Sequence, residues 1–552
     1  MYKELLDFIT WQKLVSGIVL VVVGTPLVRF ARNVIHTFYS PLRVIPGPDK
    51  PHFLFGHMAA IQATNGGLWH EQTAQKYGHV VKYKSFFWTD RLFTTDPKAM
   101  NYILNNNQIY QKPDQSRWLL KSILGEGLLF VEGAVHKRQR RVLNPPFGIS
   151  NIREMTSTFV AKSGELRDAL MARLTSEADA NNRVRVDMLS YLSRTTLDII
   201  GLTGFNYSFN ALSNEEDGLA KSFQAIFQTT GGFPVAQIFK AQFPILRPIL
   251  RFDYMTKSTE DVEKRMKEIG YRLIAEKKEE MRQQSSEGSP LDGTKSNDLL
   301  SLMILSSLNE KEDSGKTLSD EEVLHQIPTF LLAGHETTST STTWTILSLA
   351  EHPEIQKKLR SELLTLDTES PSMEDLNSLP YLDAVVRESL RYHSVVSGTL
   401  RVASQDDVIP LEKPFMDKSG NLRDCIPISK GDTIFIPIRW FNRTTSIWGE
   451  DAKAFNPDRW KAVPKDTYAI PGVWGNQLTF LGGPRACIGY RFALVEMKAL
   501  LFFLVRNFEF ELAVPAEDIT RRPGVVTRPA VKSELSKGNQ LPMFIRAAPR
   551  DV

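Results

Sequence analysis

The sequence predicts a mainly α-helical fold with a small β part, arranged as one large domain behind an N-terminal membrane helix. Three observations carry that prediction: an apolar run near the start, helical periodicity through most of the body, and two short β-branched stretches at its beginning. The chain has 552 residues, 42% hydrophobic and 24% charged, so it buries a large core and shows no bias toward disorder. No Pro/Gly/Ser-rich linker divides its middle, which favours one large domain over the several that length alone suggests.

The membrane element comes first. Phe8 to Val28 reads FITWQKLVSGIVLVVVGTPLV, close to the ~20 residues that cross a hydrocarbon core. Arg29, Arg32 and Arg43 follow it, whereas Lys3, Glu4, Asp7 and Lys13 cancel before it, so the positive-inside rule places the body on the cytosolic side. No small-x-small cleavage site follows, which favours a retained anchor over a secretory signal. Ile45-Pro-Gly-Pro48 with Pro51 is stiff and non-helical. The expected divisions are 1–32 for the anchor, 33–52 for a proline-rich hinge and 53–552 for the main domain.

His79 to Lys84 and Arg91 to Thr95 predict a small sheet. Gln283 to Asn297, QQSSEGSPLDGTKSN, reads as an exposed loop. A long helix is predicted from Ser319 to Ala350, with Ser319 and Glu322 as a capping box and Pro353 limiting extension. At 1.5 Å per residue it spans about 48 Å, the width of a large domain.

Charge and cysteine content exclude several classes. With 67 basic and 63 acidic side chains the net charge is +4, without a dominant basic run, so nucleic acid is not an expected partner. Cys425 and Cys487 are the only cysteines, too few for a disulfide scaffold, which points to a reducing compartment. Cys425 is expected in a loop as an inert thiol.

Cys487 has a different context. It lies in Phe480-Leu-Gly-Gly-Pro-Arg-Ala-Cys-Ile-Gly489, followed by an apolar helical run from Tyr490 to Phe503. The glycines permit close backbone approach to a flat ligand, and neighbouring N–H groups with the next helix N-terminus favour a thiolate. That environment points to a metal ligand. Upstream, Ala333-Gly-His-Glu-Thr-Thr338 lies inside the long predicted helix, where glycine costs about 1 kcal/mol relative to alanine and adjacent threonines add strain. Something other than helix stability favours this sequence. At Glu388-Ser-Leu-Arg391 a carboxylate and a guanidinium share a helical face, a pairing worth only ~0.3 kcal/mol on an exposed helix.

Together these stretches resemble the cytochrome P-450 family. Phe480, Gly483, Arg485, Cys487 and Gly489 match its haem-loop pattern FxxGxRxCxG; AGHETT matches AGx(D/E)TT; Glu388 and Arg391 match ExxR; and Arg459 in Pro457-Asp-Arg-Trp460 matches the partner arginine of PxRx. The resemblance implies the fold of that family and haem b (iron protoporphyrin IX) with Cys487 as its thiolate ligand, which favours O–O cleavage. It implies that Gly334 makes room for dioxygen, that Glu336 and Thr337 relay protons, and that Glu388, Arg391 and Arg459 are structural. Propionate partners follow as Arg485, Arg401 and Arg140. His136-Lys-Arg-Gln-Arg140 is similar to the family's WxxxR helix, with His136 in place of Trp. Lys137 or Arg138 is expected to meet an acidic reductase. His335 receives no role.

The implied activity is an NADPH- and O2-dependent monooxygenase that hydroxylates or epoxidises a lipophilic small molecule, a terpenoid or other secondary metabolite. Broad oxidation of aromatic xenobiotics is the alternative. A haem-thiolate isomerase or dehydratase, or a non-catalytic haem or steroid binder, has no use for the relay residues. Electrons are expected from NADPH-cytochrome reductase, with cytochrome b5 as a second donor. The resemblance is to fungal microsomal members, hence a single-pass protein of the endoplasmic reticulum membrane with its catalytic domain in the cytosol. By resemblance the pocket is lined by Lys112 to Leu129, Phe205 to Leu250, Ser394 to Leu400 and Val525 to Thr527, with Phe223, Phe227, Phe233, Val395 and Val396 making it apolar. Gly231 to Leu250 is expected to dip into the bilayer.

Overall fold

The structure, a computed structural model, describes residues 23–49, 51–64, 68–213, 235–248, 254–286, 298–308 and 317–549. Most of the predicted membrane run, Phe223, Phe227, Phe233 and the loop 287–297 lie outside the described residues. Among the described residues, no helix is long and apolar enough to cross a membrane. The expectation of a mainly helical protein with minor sheets holds.

The strands among the described residues are β1 (Val80–Lys84), β2 (Asp90–Thr94), β3 (Tyr110–Gln111), β4 (Val184–Asp187), β5 (Thr399–Ala403), β6 (Asp407–Met416), β7 (Leu422–Ile428), β8 (Thr433–Ile436), β9 (Phe508–Leu512), β10 (Ile519–Arg522), β11 (Arg528–Val531) and β12 (Pro542–Ala547). The helices that carry the site are α1 (Gly133–Leu143), α2 (Ile149–Glu177), α3 (Met188–Phe205), α4 (Asp320–Glu351), α5 (Pro353–Leu363), α6 (Pro380–His393) and α7 (Tyr490–Asn507). The chain forms two compact units, one comprising Met1–Leu119, Thr230–Lys257 and Gly398–Pro437, the other Leu120–Thr229, Ser258–Ser397 and Ile438–Val552.

The first unit holds a five-stranded sheet in the order β1-β2-β8-β5-β3. β1 and β2 pair antiparallel from Val80↔Thr94 to Lys84↔Asp90, as their β-branched and aromatic residues predict. Cys425 is not in a loop: it sits in β7 opposite Pro410 of β6, because the hairpin extends further than its polar residues suggest.

The second unit is largely helical. The capping box at Ser319 and Glu322 forms as predicted and starts α4 at Asp320. Both of its hydrogen bonds are made, Ser319 N–H to Glu322 Oε2 at 3.0 Å and Glu322 N–H to Ser319 Oγ at 3.2 Å. α4 is buried along most of its length, and α7 is buried from Leu494 to Val505. Helices buried on nearly every side lie inside a core, where each large apolar side chain contributes roughly 1.5–3 kcal/mol on burial.

Candidate active site

The Cys487 segment is a tight loop closed by its own backbone. Cys487 N–H donates to the Phe480 carbonyl at 2.8 Å, and Ala486 N–H to that of Gly483 at 3.0 Å. Gly483 has φ +67° and Leu481 φ +54°, left-handed conformations that produce the reversal. A Cβ on Gly482 would stand 1.6 Å from the Pro471 carbonyl oxygen, so the loop seats only if this residue is glycine. Phe480 is buried between Trp474 and Tyr490, at ring-centroid distances of 5.9 and 6.1 Å. Helix α7 begins one residue after Gly489.

Cys487 is solvent-exposed although protein atoms enclose it on most sides, so it opens into a concavity and not onto the outer surface. Burial pushes its thiol pKa up; the Gly489 N–H and the Arg140 guanidinium oppose that without cancelling it. A coordinated cation would supply the missing stabilisation, since metal-bound thiols are deprotonated outright. An accessible sulfur in a concavity, a glycine-tight cradle and nearby arginines fit a haem.

The loop is braced from α1 at two places. Arg140 donates to the Ala486 carbonyl at 2.6 Å and to Asn144 Oδ1 at 2.9 Å. Arg485 donates to the Val131 carbonyl at 2.8 Å and forms an ion pair with Glu132, the residue preceding α1. His136 is buried on the same helix. Arg138 is engaged by Glu322, at 2.5 Å from Nη2 to Oε1, and by the Thr317 carbonyl at 2.6 Å, whereas Lys137 is exposed. Of the two cations expected to meet a reductase, only Lys137 therefore presents itself on the surface. Arg401 belongs to the other unit, buried in β5 opposite Ile434, and donates to Thr399 Oγ1 and the Leu400 carbonyl.

On α4, every residue from Thr329 to Leu349 is buried except Ala333, Gly334 and Thr337. These three share one face and form an accessible strip in the middle of the helix. Thr337 Oγ1 donates to the Ala333 carbonyl at 2.7 Å, which leaves its lone pairs free to accept. A Cβ on Gly334 would stand 2.8 Å from Ile200 Cγ1, so the glycine also lets α3 and α4 approach closely. Thr196 of α3 donates to the His335 carbonyl at 3.1 Å beside this contact.

Glu336 points away from that strip into an ion pair with Arg528 of β11, whose Nε lies 3.0 Å from Oε2. His335 Nε2 stands 3.6 Å from the other carboxylate oxygen. Burial alone would raise the Glu336 pKa; Arg528, with His335, outweighs it and brings the value down to about 2. Glu336 is thus a carboxylate, and proton transfer through it requires the pair to part. Two residues on, Thr338 approaches the buried Glu496 of α7, whose carboxyl oxygens have no hydrogen-bond partner of good geometry. Burial pushes Glu496 well above the ordinary carboxyl range, so it is a neutral acid.

Glu388, Arg391 and Arg459 meet in one buried network. Arg391 grips Glu388 with Nε to Oε2 at 2.8 Å and Nη2 to Oε1 at 2.7 Å, and donates to the carbonyls of Asn442, Ala452 and Ala454. Arg459 Nε is 3.5 Å from Glu388 Oε1 but 2.5 Å from Asp451 Oδ1 through Nη1, so its tighter partner is Asp451. Asn456 N–H at 2.9 Å and Trp460 Nε1 at 3.1 Å complete the carboxylate. A pair that is marginal on a surface becomes costly to break here, since removing one partner leaves a buried charge uncompensated.

Sequence reasoning missed Glu132, Asp451, Glu496, Ile200 and Arg528. Glu132, Glu496, Ile200 and Arg528 act through residues far along the chain, and Asp451 through Arg459 at a separation of 8 that no motif marks. Glu496 lies inside the run Tyr490 to Phe503, whose apolar reading hides a buried acid.

The comparisons with known proteins agree with this geometry. The family model for cytochrome P450 matches residues 46–535. The chain is 48% identical over 516 residues to Cytochrome P450 monooxygenase 205 of Postia placenta, covering 93% of this chain and 94% of that one. It is 46% identical over 524 residues to Cytochrome P450 monooxygenase 128 of the same fungus, covering 94% and 95%. Ganoderic acid synthetase CYP5150L8 of Ganoderma lucidum is 33% identical over 496 residues, covering 86% and 88%. With an accessible cysteine in a glycine-tight loop and likeness along nearly its whole length, the chain belongs to the cytochrome P450 family of haem-thiolate monooxygenases.

Proposed function

We propose that this protein hydroxylates or epoxidises a lipophilic small molecule, a terpenoid or another secondary metabolite, with electrons from NADPH delivered by a separate reductase and, as a second donor, cytochrome b5. The observation that carries the reading is that two sets of residues stay accessible beside a buried core: Cys487 in its loop, and the strip Ala333, Gly334 and Thr337 on α4. A relative named for ganoderic acid supports a metabolite over a xenobiotic.

Cys487 Sγ would ligate a bound haem b, with Arg140, Arg485 and His136 of the same unit as propionate partners; for Arg401 that role rests on the family resemblance alone. The haem, when bound, supplies reductive activation of dioxygen and transfer of one oxygen atom to a C–H or C=C bond. The chain's own contribution is positional. The Gly489 N–H and Arg140 stabilise the thiolate charge, and the α1 brace holds the loop at fixed height. Thr337 offers an acceptor on the accessible strip, and Glu336 stands one residue away as a paired carboxylate.

Location in the endoplasmic reticulum membrane, single-pass with a cytosolic catalytic domain, is part of the same proposal. Residues 23–39 are helical, and Leu27, Val28, Ile35 and Phe38 are exposed on one face of that helix. Exposed apolar side chains in such a row suit a bilayer interface.

The test is a reduced carbon monoxide difference spectrum of detergent-solubilised protein beside Cys487→His, followed by product screening with NADPH and a reductase. A red-shifted Soret band confined to the unsubstituted protein, with oxygenated metabolite products, is expected. Absence of the band in folded protein would remove the haem-thiolate reading, and turnover of aromatic xenobiotics alone would replace the metabolite assignment.

A further inference from the structure

Behind Val395 lies a group of cations that the proposed reaction does not use. His393, the last residue of α6, is buried and stacked on Trp344 of α4 at 5.2 Å between ring centroids. Arg521 of β10 donates from Nη2 to His393 Nδ1 at 2.8 Å, and its guanidinium lies 4.0 Å over the Trp344 ring. A guanidinium only donates, so Nδ1 is the acceptor, and the proton sits on Nε2, donated to Ser348 Oγ at 2.7 Å. His393 is therefore neutral. Arg439, only 5% exposed, donates from Nε to the His393 carbonyl at 3.3 Å.

Two full positive charges thus converge on one neutral residue. Among the described residues, no carboxylate lies within ion-pair distance of either guanidinium. Glu351 is the acid whose field reaches Arg521, and Arg443, stacked 4.2 Å from Tyr392, adds more positive charge. Each of the two arginines also keeps a buried nitrogen without any hydrogen-bond partner, Arg439 Nη2 and Arg521 Nη1. Leaving a charge buried and unpaired costs several kcal/mol, and the face of Trp344 supplies attraction but no counter-charge. Burial and the mutual repulsion of the arginines push Arg439 well below the ordinary arginine range, yet a guanidinium does not deprotonate readily.

We propose that Arg439 Nη2 and Arg521 Nη1 bind a small inorganic anion of the halide class, chloride in ordinary solution, beside His393. A monoatomic anion fills a space close to that of one water, about 30 Å³, and accepts both orphaned hydrogen bonds while cancelling one charge. Arg439 is buried and Arg521 half-buried, so the small anion is the one that both orphaned nitrogens can reach with the least displacement of packed side chains. The ion ties the short helix Ile438–Phe441, which carries Arg439, to β10 beside Ser397, whose carbonyl accepts from Arg439 N–H at 3.1 Å, and so sets the stability of that corner.

The test uses the haem-loaded full chain. Crystals grown with bromide in place of chloride should show an anomalous peak between the two guanidiniums. In solution, Tm should rise saturably with chloride, on the order of 2 °C, at ionic strength held constant with gluconate. Arg439→Leu should abolish both effects. Water alone at the site in bromide crystals, or a Tm indifferent to chloride, would overturn the proposal even if the variant fails to fold.

Discussion

Glu336 and Arg528 form an ion pair across 192 residues of sequence, joining the middle of α4 to β11 with Nε to Oε2 at 3.0 Å. The carboxylate adjacent to Thr337 is therefore not a free proton donor but one half of a sealed pair, and its partner comes from a strand that no motif singles out.

Arg528→Gln removes the partner and leaves a buried carboxylate uncompensated. We expect a loss of about 3–5 kcal/mol in stability, partly restored by the double variant Glu336→Gln/Arg528→Gln. The folded pKa of Glu336, about 2, lies below its ordinary value of 4.5, so its contribution is full above the ordinary carboxyl range and is lost as pH falls through about 2. Acid unfolding of Arg528→Gln should lose this dependence; an unchanged profile would show that the pair does not form.

Glu496 predicts the opposite sign. Its folded pKa is raised by burial, so the folded protein binds the extra proton and stability falls as pH rises from the ordinary carboxyl range upward. Glu496→Gln keeps the shape and cannot ionise. Its Tm should match the parent near pH 4 and exceed it at pH 8, as differential scanning calorimetry would register.

Glu132→Ala strips Arg485 of its counter-ion at the Cys487 loop. Stability should fall by roughly 3 kcal/mol, and the reduced carbon monoxide spectrum should show a smaller haem-thiolate band that fades faster on warming. Retention of the full band would mean the brace from α1 is dispensable.

Gly334→Ala forces a methyl against Ile200. Overpacking of this kind costs typically 1–3 kcal/mol. The second substitution Ile200→Ala should restore much of the lost Tm, which separates helix packing from any effect on the accessible strip.

Glu388→Ala leaves Arg391 buried without its carboxylate, and the protein is expected to express without haem or as insoluble material. Soluble, haem-loaded Glu388→Ala would show that the network is not needed for folding.

Much of this protein was legible in advance. The capping box at Ser319 and Glu322 was readable because a cap depends on residues three positions apart, and α4 starts where it says. The Cys487 loop was readable for a similar reason, since its glycines, arginine and cysteine act within ten residues of one another. Cys425 was misread as a loop residue because strand pairing with Pro410 is decided by the partner strand, not by the few residues around the cysteine.

By itself the sequence determined the helical class, the start of the central helix, the thiolate candidate and the family resemblance, all of which rest on short-range periodicity and spacing. Only the tertiary structure decided that Glu336 is paired with Arg528, that Arg485 is held by Glu132, that Arg459 leans on Asp451 more than on Glu388, and that two arginines converge on His393 without a counter-charge. The physical reason is the same in each case. Electrostatic energies between buried charges depend on distance and on exclusion of water, and neither is set until the chain is packed.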